Sequence, residues 1–470
     1  MGGGFYYHTP DYNPLNKVEF TSDGWSHGFE VDRAKRSDGA GTDGDGLAEI
    51  IGLELGHYWG RSFGRMVDSF TLENWRKMGL DLCSKCTSLK RLDLQTGWSR
   101  RLDGSSDFNL SMEVLSAIFG VEGAYQCPLE SLDLSNIKLD STGMEIMLPF
   151  FMSMTRTLRY VHLNNCELGS MGPKHLSEAL TNYDHLHELH IRLNSIGDFG
   201  MGHISNILDN VCIDSLHLGC NGITDISIER LLAARNAAHL RELYLENNPI
   251  ERNHGFDAIA SFLSREDSEL RVLRIGVKYP GHLWILLQSL QHNTKMEMLG
   301  LSGLNLDGLI DDNCINFMQN LVCNRSSFAS LCQSNHLLRI RCSNDYLFDS
   351  DPMLKKAFHI NARSDSCNKK LRSKLRNFYF QGKLSNFYYQ GKFSVQPFIA
   401  MGAVLMPYVL SLVTRGGVLV DSREGFHRVG EYSRYLSEVP SNNLSTVYQL
   451  IRNYNLPDLI RFTTTDEMSC

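Results

Sequence analysis

Leu186–Ile196 reads LHELHIRLNSI, and four other stretches repeat its pattern: LESLDLSNIKL from Leu129, LRYVHLNNCEL from Leu158, IDSLHLGCNGI from Ile213 and LRELYLENNPI from Leu240. The shared template is LxxLxLxxNxL, and successive copies start 29, 28, 27 and 27 residues apart. The alternation in LxL predicts a short strand with one buried face. At the ninth position stand Asn194, Asn221 and Asn248, whose amides, turned inward, can satisfy backbone groups that a turn leaves unpaired. Ile137 and Cys166 replace the asparagine in the other two copies, and Ile137 should interrupt the amide ladder locally. After each strand come apolar residues at helical spacing, such as Ile204, Ile207 and Leu208, or Ile259, Phe262 and Leu263. No copy can bury its apolar face alone, so neighbours must stack. Stacked strands sit about 4.8 Å apart whereas helices need about 8–10 Å. The copies should therefore form an arc, with a parallel sheet on its concave side and helices on its convex side.

Working outward, a first copy begins at Leu89 (LKRLDLQTGW), 40 residues before Leu129, and the gap holds a predicted loop, RRLDGSSDFN. Beyond Leu240 the spacing loosens to LRVLRIGVK from Leu270 and MEMLGLSGLNL from Met296, with a degenerate copy near Leu337–Cys342. The periodicity thus predicts eight strands and a weaker ninth. Repeats of 27–29 residues in which Asn194, Ile196, Gly200, Ile204 and Leu208 carry an NxIxxxGxxxLxxxL pattern resemble the ribonuclease-inhibitor-type leucine-rich-repeat family. The resemblance covers roughly residues 89–342. It implies an α/β fold, a leucine-rich-repeat solenoid or horseshoe with a concave parallel sheet, convex helices and helical caps at both ends, acting as a protein-binding scaffold. Cysteine at the ninth position is a known substitute in such repeats. SLCQSNHLL near 330–340, FSVQPFIAMGAVLMPYVLSLV from Phe393 and STVYQLIRNYNLPDLIRF from Ser445 are similar to tails of leucine-rich-repeat proteins of diatom-type algae.

The flanks differ in composition. Residues 1–46 are rich in Gly and Asp and poor in large aliphatics, which predicts disorder. Asp43 and Asp45 hint at a calcium loop, but Leu47 and Ala48 occupy positions where an EF-hand needs a ligand and a glycine. Residues 47–88 are expected to form a helical cap over the first copy. Cys83 and Cys86 form a lone CxxC without a second pair or nearby His ligands, so no zinc site is assigned. Residues 343–470 are expected to form a basic, then apolar, C-terminal cap or tail. Lys355–Lys392 holds ten Lys/Arg and one acidic residue, and its stripe Leu371, Leu375 and Phe378 should dock on the last copy while Arg372, Lys374 and Arg376 stay near Asp311 and Asp312. Within it, NFYFQGKLS (377–385) is followed directly by NFYYQGKFS (386–394), a tandem duplication; nine residues turn a helix by about half a turn, so one copy is expected to loop out. Phe398–Val413 is an apolar run of 16 residues interrupted by Pro407, short of the roughly 20 needed to span a bilayer, and reads as a buried cap.

A chain of 470 residues with 42% apolar content can hold an extended core, and a net charge of −7 argues against a general nucleic-acid binder. MGGGFYYHTP lacks the regions of a signal peptide, which suggests a cytoplasmic or nuclear protein with its twelve cysteines mostly reduced. There is no GxxxxGK[ST], HExxH or GxSxG; catalysis and a cofactor are not expected. The residue between the last two apolars of LxxLxL should face the concave groove: Asp93, Asp133, His162, His190, His217, Tyr244, Arg274 and Gly300. Three successive rungs therefore stack His162, His190 and His217. Exposed polar positions tolerate His, so coincidence is one reading; a pH-responsive or partner-contacting patch is the other. Stacked side chains rarely converge tetrahedrally, so no metal ligands are assigned, and mutual repulsion should lower all three pKa values. Tyr160, Glu188, Arg192, Arg241 and Tyr244 add interface-prone types to the groove. The site expected is a concave face of Tyr160, His162, Glu188, His190, Arg192, His217, Arg241, Tyr244 and Arg274 that binds a protein and not a nucleic acid. Regulation of an enzyme, as a GTPase-activating or inhibitory protein, is the second reading. Weak contact between the 355–392 segment and an anionic membrane surface is a third.

Overall fold

The computed structural model describes residues 29–33, 50–55, 72–84, 87–94, 111–120, 125 and 127–303, and most of 310–374. Two compact units divide the chain, Met1–Ile250 and Glu251–Cys470. The duplication at 377–394, the apolar run at 398–413 and the loop at 100–109 lie outside the described residues, as do most of 1–46 and of the C-terminal tail.

In the first unit the sheet order follows the chain: β1 (Phe29–Arg33), β2 (Ile50–Leu55), β3 (Arg91–Asp93), β4 (Ser131–Asp133), β5 (Tyr160–His162), β6 (His185–His190), β7 (Cys212–His217) and β8 (Glu242–Leu245). Pairing is parallel from β2 onward, and the register keeps equivalent template positions side by side: Leu92, Leu132, Val161, Leu189, Leu216 and Leu243 form one row. Each of the six is at most 1% exposed. Burial of such rows is what a single rung cannot achieve. Between β6 and β7 runs the helix Gly197–Asn210, whose buried residues Gly200, Met201, Ile204, Ile207 and Leu208 fall at helical spacing. Gly200 is glycine for want of room, since a Cβ there would stand 2.5 Å from Ile196 Cγ2 and 3.2 Å from Ser170 O.

The inward amides form the expected ladder. Asn221 Oδ1 accepts from Asn194 N at 2.8 Å, and its Nδ2 donates to Ile191 O and Leu218 O at 2.9 and 3.0 Å. Asn194 serves Cys166 N in the same way, and Asn248 serves Asn221 N. At the next rung Cys166 Sγ donates to Leu134 O at 3.2 Å, and Ile137 is fully buried. One residue before the ladder the chain turns with positive φ, at Asn136, Asn165, Leu193, Cys220 and Asn247. Replacing Asn221, 1% exposed, by Ala should orphan these groups and cost about 1–3 kcal/mol, measured by urea denaturation of the full chain; a loss below about 0.5 kcal/mol would contradict the ladder's role.

Two strands were not expected. Residues 47–88 read as helical, but Ile50–Leu55 is a strand, antiparallel to β1 and parallel to β3, and Leu72–Ser84 is the helix. Phe29–Arg33 is likewise a strand within the segment expected to be disordered. The register aligns Leu53 with Leu92 and Glu54 with Asp93, so LEL repeats the template's own LxL. The unpaired edge of β3 rewards a strand there more than an isolated helix would be rewarded.

In the second unit β9 (Val272–Gly276), β10 (Met298–Ser302) and β11 (Arg339–Cys342) pair in parallel and in chain order, and the degenerate ninth copy is the strand β11. Helix Cys367–Lys374 differs from its expected docking. Leu371 is buried, but Lys374 is not near Asp311 or Asp312: fully buried, its Nζ donates to Val322 O, to Asn335 O at 3.0 Å and to His336 Nδ1 at 3.0 Å. Val322 lies in the last turn of helix Asp312–Cys323, where carbonyls lack helical partners and favour a cation. Burial pulls the Lys374 pKa down to about 7. Asp311 instead caps that helix, accepting from Cys314 N at 2.7 Å. Eight described cysteines are free thiols and Cys367 is disulfide-bonded. No helix among the described residues is long and apolar enough to cross a membrane.

Candidate functional site

On the face of β4–β8 that carries the polar strand positions, two columns run across the rungs. One is Asp133, His162, His190, His217 and Tyr244; the other is Ser131, Tyr160, Glu188, Ser215 and Glu242. Both follow from the template, since residues two apart on a strand share a face. The first column stacks ring on ring. His162 and His190 lie 4.1 Å apart and within 9° of parallel, His190 and His217 are 3.6 Å apart, and His217 and Tyr244 are 3.8 Å apart within 16°.

The second column supplies the polar partners. His162 bridges two carboxylates, with Nδ1 3.4 Å from Asp133 Oδ2 and Nε2 3.1 Å from Glu188 Oε2. His190 Nε2 also stands 3.1 Å from Glu188 Oε2, but off the line that a hydrogen bond needs. Ser215 Oγ donates to Glu242 Oε2 at 3.2 Å and lies 3.1 Å from His217 Nε2, while Tyr244 OH donates to the same Glu242 oxygen at 2.8 Å. Beside the columns, Arg192 Nη2 reaches Glu246 Oε1 at 3.2 Å. It crosses over Gly219, where an added Cβ would meet Arg192 Nε at 3.1 Å and Glu246 O at 3.2 Å. The rung between them needs glycine for that close approach.

The repeats of this arrangement can be compared with known proteins. No family model matches the chain. Ribonuclease inhibitors of Mus musculus and Sus scrofa are 28% and 29% identical over 156 and 150 residues, and the NACHT, LRR and PYD domains-containing protein 12 of Homo sapiens is 30% identical over 148. The matches cover 33%, 31% and 31% of this chain, and 34%, 33% and 14% of those proteins. The chain thus spans about a third of the length of the ribonuclease inhibitors it matches. These are leucine-rich repeats of the ribonuclease-inhibitor type. In such repeats the positions between the core leucines are free to vary, which is why the columns can hold a site.

Seven of the nine residues expected at the site are adjacent within the columns or beside them: Tyr160, His162, Glu188, His190, Arg192, His217 and Tyr244. His217 and Tyr244 are buried, 5% and 6% exposed, rather than solvent-facing, because each ring is covered by its stacked neighbours. Arg241 lies at the start of its strand, 3.9 Å from Asp214, apart from the histidines. Arg274 belongs to the second unit, where its side chain runs over Gly300; a Cβ on that glycine would stand 2.8 Å from Arg274 Cγ.

The expectation that all three histidines titrate low is corrected at His162. Burial opposes its protonation, but hydrogen bonds to Asp133 and Glu188 outweigh burial and raise its pKa to about 9. Burial lowers His190, and burial together with the charges of His190 and Arg192 pulls His217 down to about 2. The hydrogen bond from His162, with the His190 ring close by, holds the Glu188 carboxyl far below its ordinary range. Near pH 7 Asp133 and Glu188 are therefore anionic, His162 is cationic, and His190 and His217 are neutral. Ser215 and His217 have a nucleophile–base spacing, but Ser215 Oγ is also turned to Glu242 Oε2 and burial lowers the basicity of His217.

The sequence reading missed a third column. His187 N and Glu188 N both donate to Arg159 O, Arg159 N and Tyr160 N to Glu130 O, and Glu130 N and Ser131 N to Lys90 O. Two successive N–H groups thus share one acceptor while the register holds, and the strict in-out alternation breaks, leaving the second template position partly exposed beside the third, as in β6. Lys90, Glu130, Arg159, His187, Asp214 and Arg241 occupy that position, and Lys90 pairs with Glu130 at 2.7 Å. The signal was readable as a charge alternation down the column.

Proposed function

We propose that the chain is a non-catalytic scaffold that binds a protein through the polar face of β4–β8. The observation that carries this reading is the continuous grid of aromatic, imidazole and charged side chains on five adjacent strands, held by mutual contacts before any partner arrives. Its carboxylates, Asp133, Glu188, Glu242 and Glu246, interleave with His162 and Arg192; mixed charge of this kind suits a protein surface and repels a phosphate backbone. The depressed basicity of His217 supports the absence of catalysis at Ser215. The likeness to proteins named ribonuclease inhibitors favours, as a second reading, inhibition of an enzyme by the same face.

The test is affinity capture with quantitative mass spectrometry, comparing the full wild-type chain with a variant carrying Tyr160→Ala, Glu188→Gln and Arg241→Ala. Central Tyr and Arg anchors are worth about 2 kcal/mol or more each at protein interfaces, so the partner's recovery should fall at least about 30-fold. An unchanged set and yield of bound proteins would overturn the assignment of the binding face.

A further inference from the structure

β6 opens His185-Leu186-His187, and β7 opens Cys212-Ile213-Asp214. Register pairs His185 with Cys212 and Leu186 with Ile213, which sets Asp214 beside His187. His185 Nε2 and His187 Nδ1 lie 3.1 and 2.9 Å from one atom, Asp214 Oδ2, and the three donor atoms are all within 4.8 Å of one another. The two rings are crossed at 87° with centroids 4.7 Å apart, so they approach that oxygen from different directions. Asp214 Oδ1 faces Arg241 Nε at 3.9 Å, which leaves Oδ2 to the histidines. Arg159 Nη1 donates to His185 O at 3.1 Å and steadies the strand start. The side chains of His185, His187 and Asp214 are 34%, 44% and 23% exposed, open to a hydrated ion.

We infer that His185, His187 and Asp214 bind a divalent metal ion of the zinc type, through two imidazoles and one carboxylate, with a fourth position open to water. Zinc holds N and O donors at about 2.0–2.1 Å, which sets tetrahedral donors roughly 3.3 Å apart. The separations from Asp214 Oδ2 fall a few tenths of an ångström short of that, a shift that partly exposed side chains can make. The stacked column offers a second grouping, His162, Glu188 and His190, but it fits a metal poorly. Its rings are within 9° of parallel, so their nitrogens point alongside one another, and His162 already has both nitrogens on carboxylates. The break in alternation at His187 thus allows a convergence that stacked strand positions do not.

The experiment uses the full chain, stripped with a chelator and titrated with zinc alone against a competing colorimetric chelator. The expected result is a zinc equivalent whose affinity falls more than about 100-fold in His187→Ala and in Asp214→Asn, beyond the roughly 10–100-fold that outer-shell changes cost. His162→Ala should retain it. Cobalt(II) should give visible bands of tetrahedral intensity in the wild type that both variants lose. Circular dichroism melts of the metal-free variants, with His185→Gln as a second ligand variant, separate lost ligands from lost fold. Zinc affinity unchanged in the folded ligand variants, or lost only in His162→Ala, would overturn the proposal.

Discussion

Leu189→Asp is expected to unfold the rungs around β6. Leu189 is fully buried and lies between Val161 and Leu216, its register partners on β5 and β7, which are also fully buried. A carboxylate there has no partner, and a neutral carboxyl would still bury unsatisfied oxygens. The cost should exceed about 4–5 kcal/mol, at the extreme of single substitutions and comparable with the roughly 5–15 kcal/mol that stabilise a whole domain. In a stacked-repeat fold each rung depends on its neighbours, so the loss should spread from β6 to β5 and β7. Hydrogen exchange resolved by mass spectrometry should show protection lost across 158–218, with a lowered or absent melting transition. A variant that keeps wild-type protection there would refute the packing of this row.

The second large effect is on stability as a function of pH. His162 has a folded pKa of about 9 against an ordinary 6.5. A raised pKa means that its contribution is complete below pH 6.5 and is lost as the pH rises through 9. Each pKa unit corresponds to about 1.4 kcal/mol, so the contribution is at most about 3.5 kcal/mol. His217 has the opposite sign: its folded pKa is depressed, so its contribution is present above 6.5 and erodes as the pH falls below that value. Glu188, also depressed, contributes above 4.5 and loses that contribution as acid protonates it. Stability should therefore be greatest around pH 6.5–7. Chemical denaturation of wild type and His162→Gln across pH 5–10 should show a gap that is full below about pH 6.5 and closes as the pH rises through 9. Parallel curves would show that the carboxylate bridge does not hold the proton.

The polar face and the strand-start site depend on the same rungs in different ways. Stacked rings in the first column can hold one another in place, whereas the second template position is exposed because the in-out alternation breaks beside it. A partner seated on the columns would thus meet Tyr160 next to His187, whose rings are 5.3 Å apart.

Sequence alone determined the repeat positions, the strands at Arg91–Asp93 through Arg339–Cys342, the inward ladder of Asn194, Asn221 and Asn248, and the histidines of one column. These are legible because a strand's period of two and a helix's period of 3.6 are local properties of the chain. Only the tertiary structure decided what those side chains meet. IIGLEL at 50–55 became a strand because an open sheet edge was available to it. His162 gains protons while His217 sheds them, because Asp133 and Glu188 flank the first and stacked rings bury the second. Lys374 turned inward to the carbonyls of Val322 and Asn335, not outward to Asp311. Asp214 meets His185 and His187 across adjacent strands, at a break in alternation that a strand's period of two does not record. Periodicity says which way a residue faces, and cross-rung distances then decide charge and chemistry.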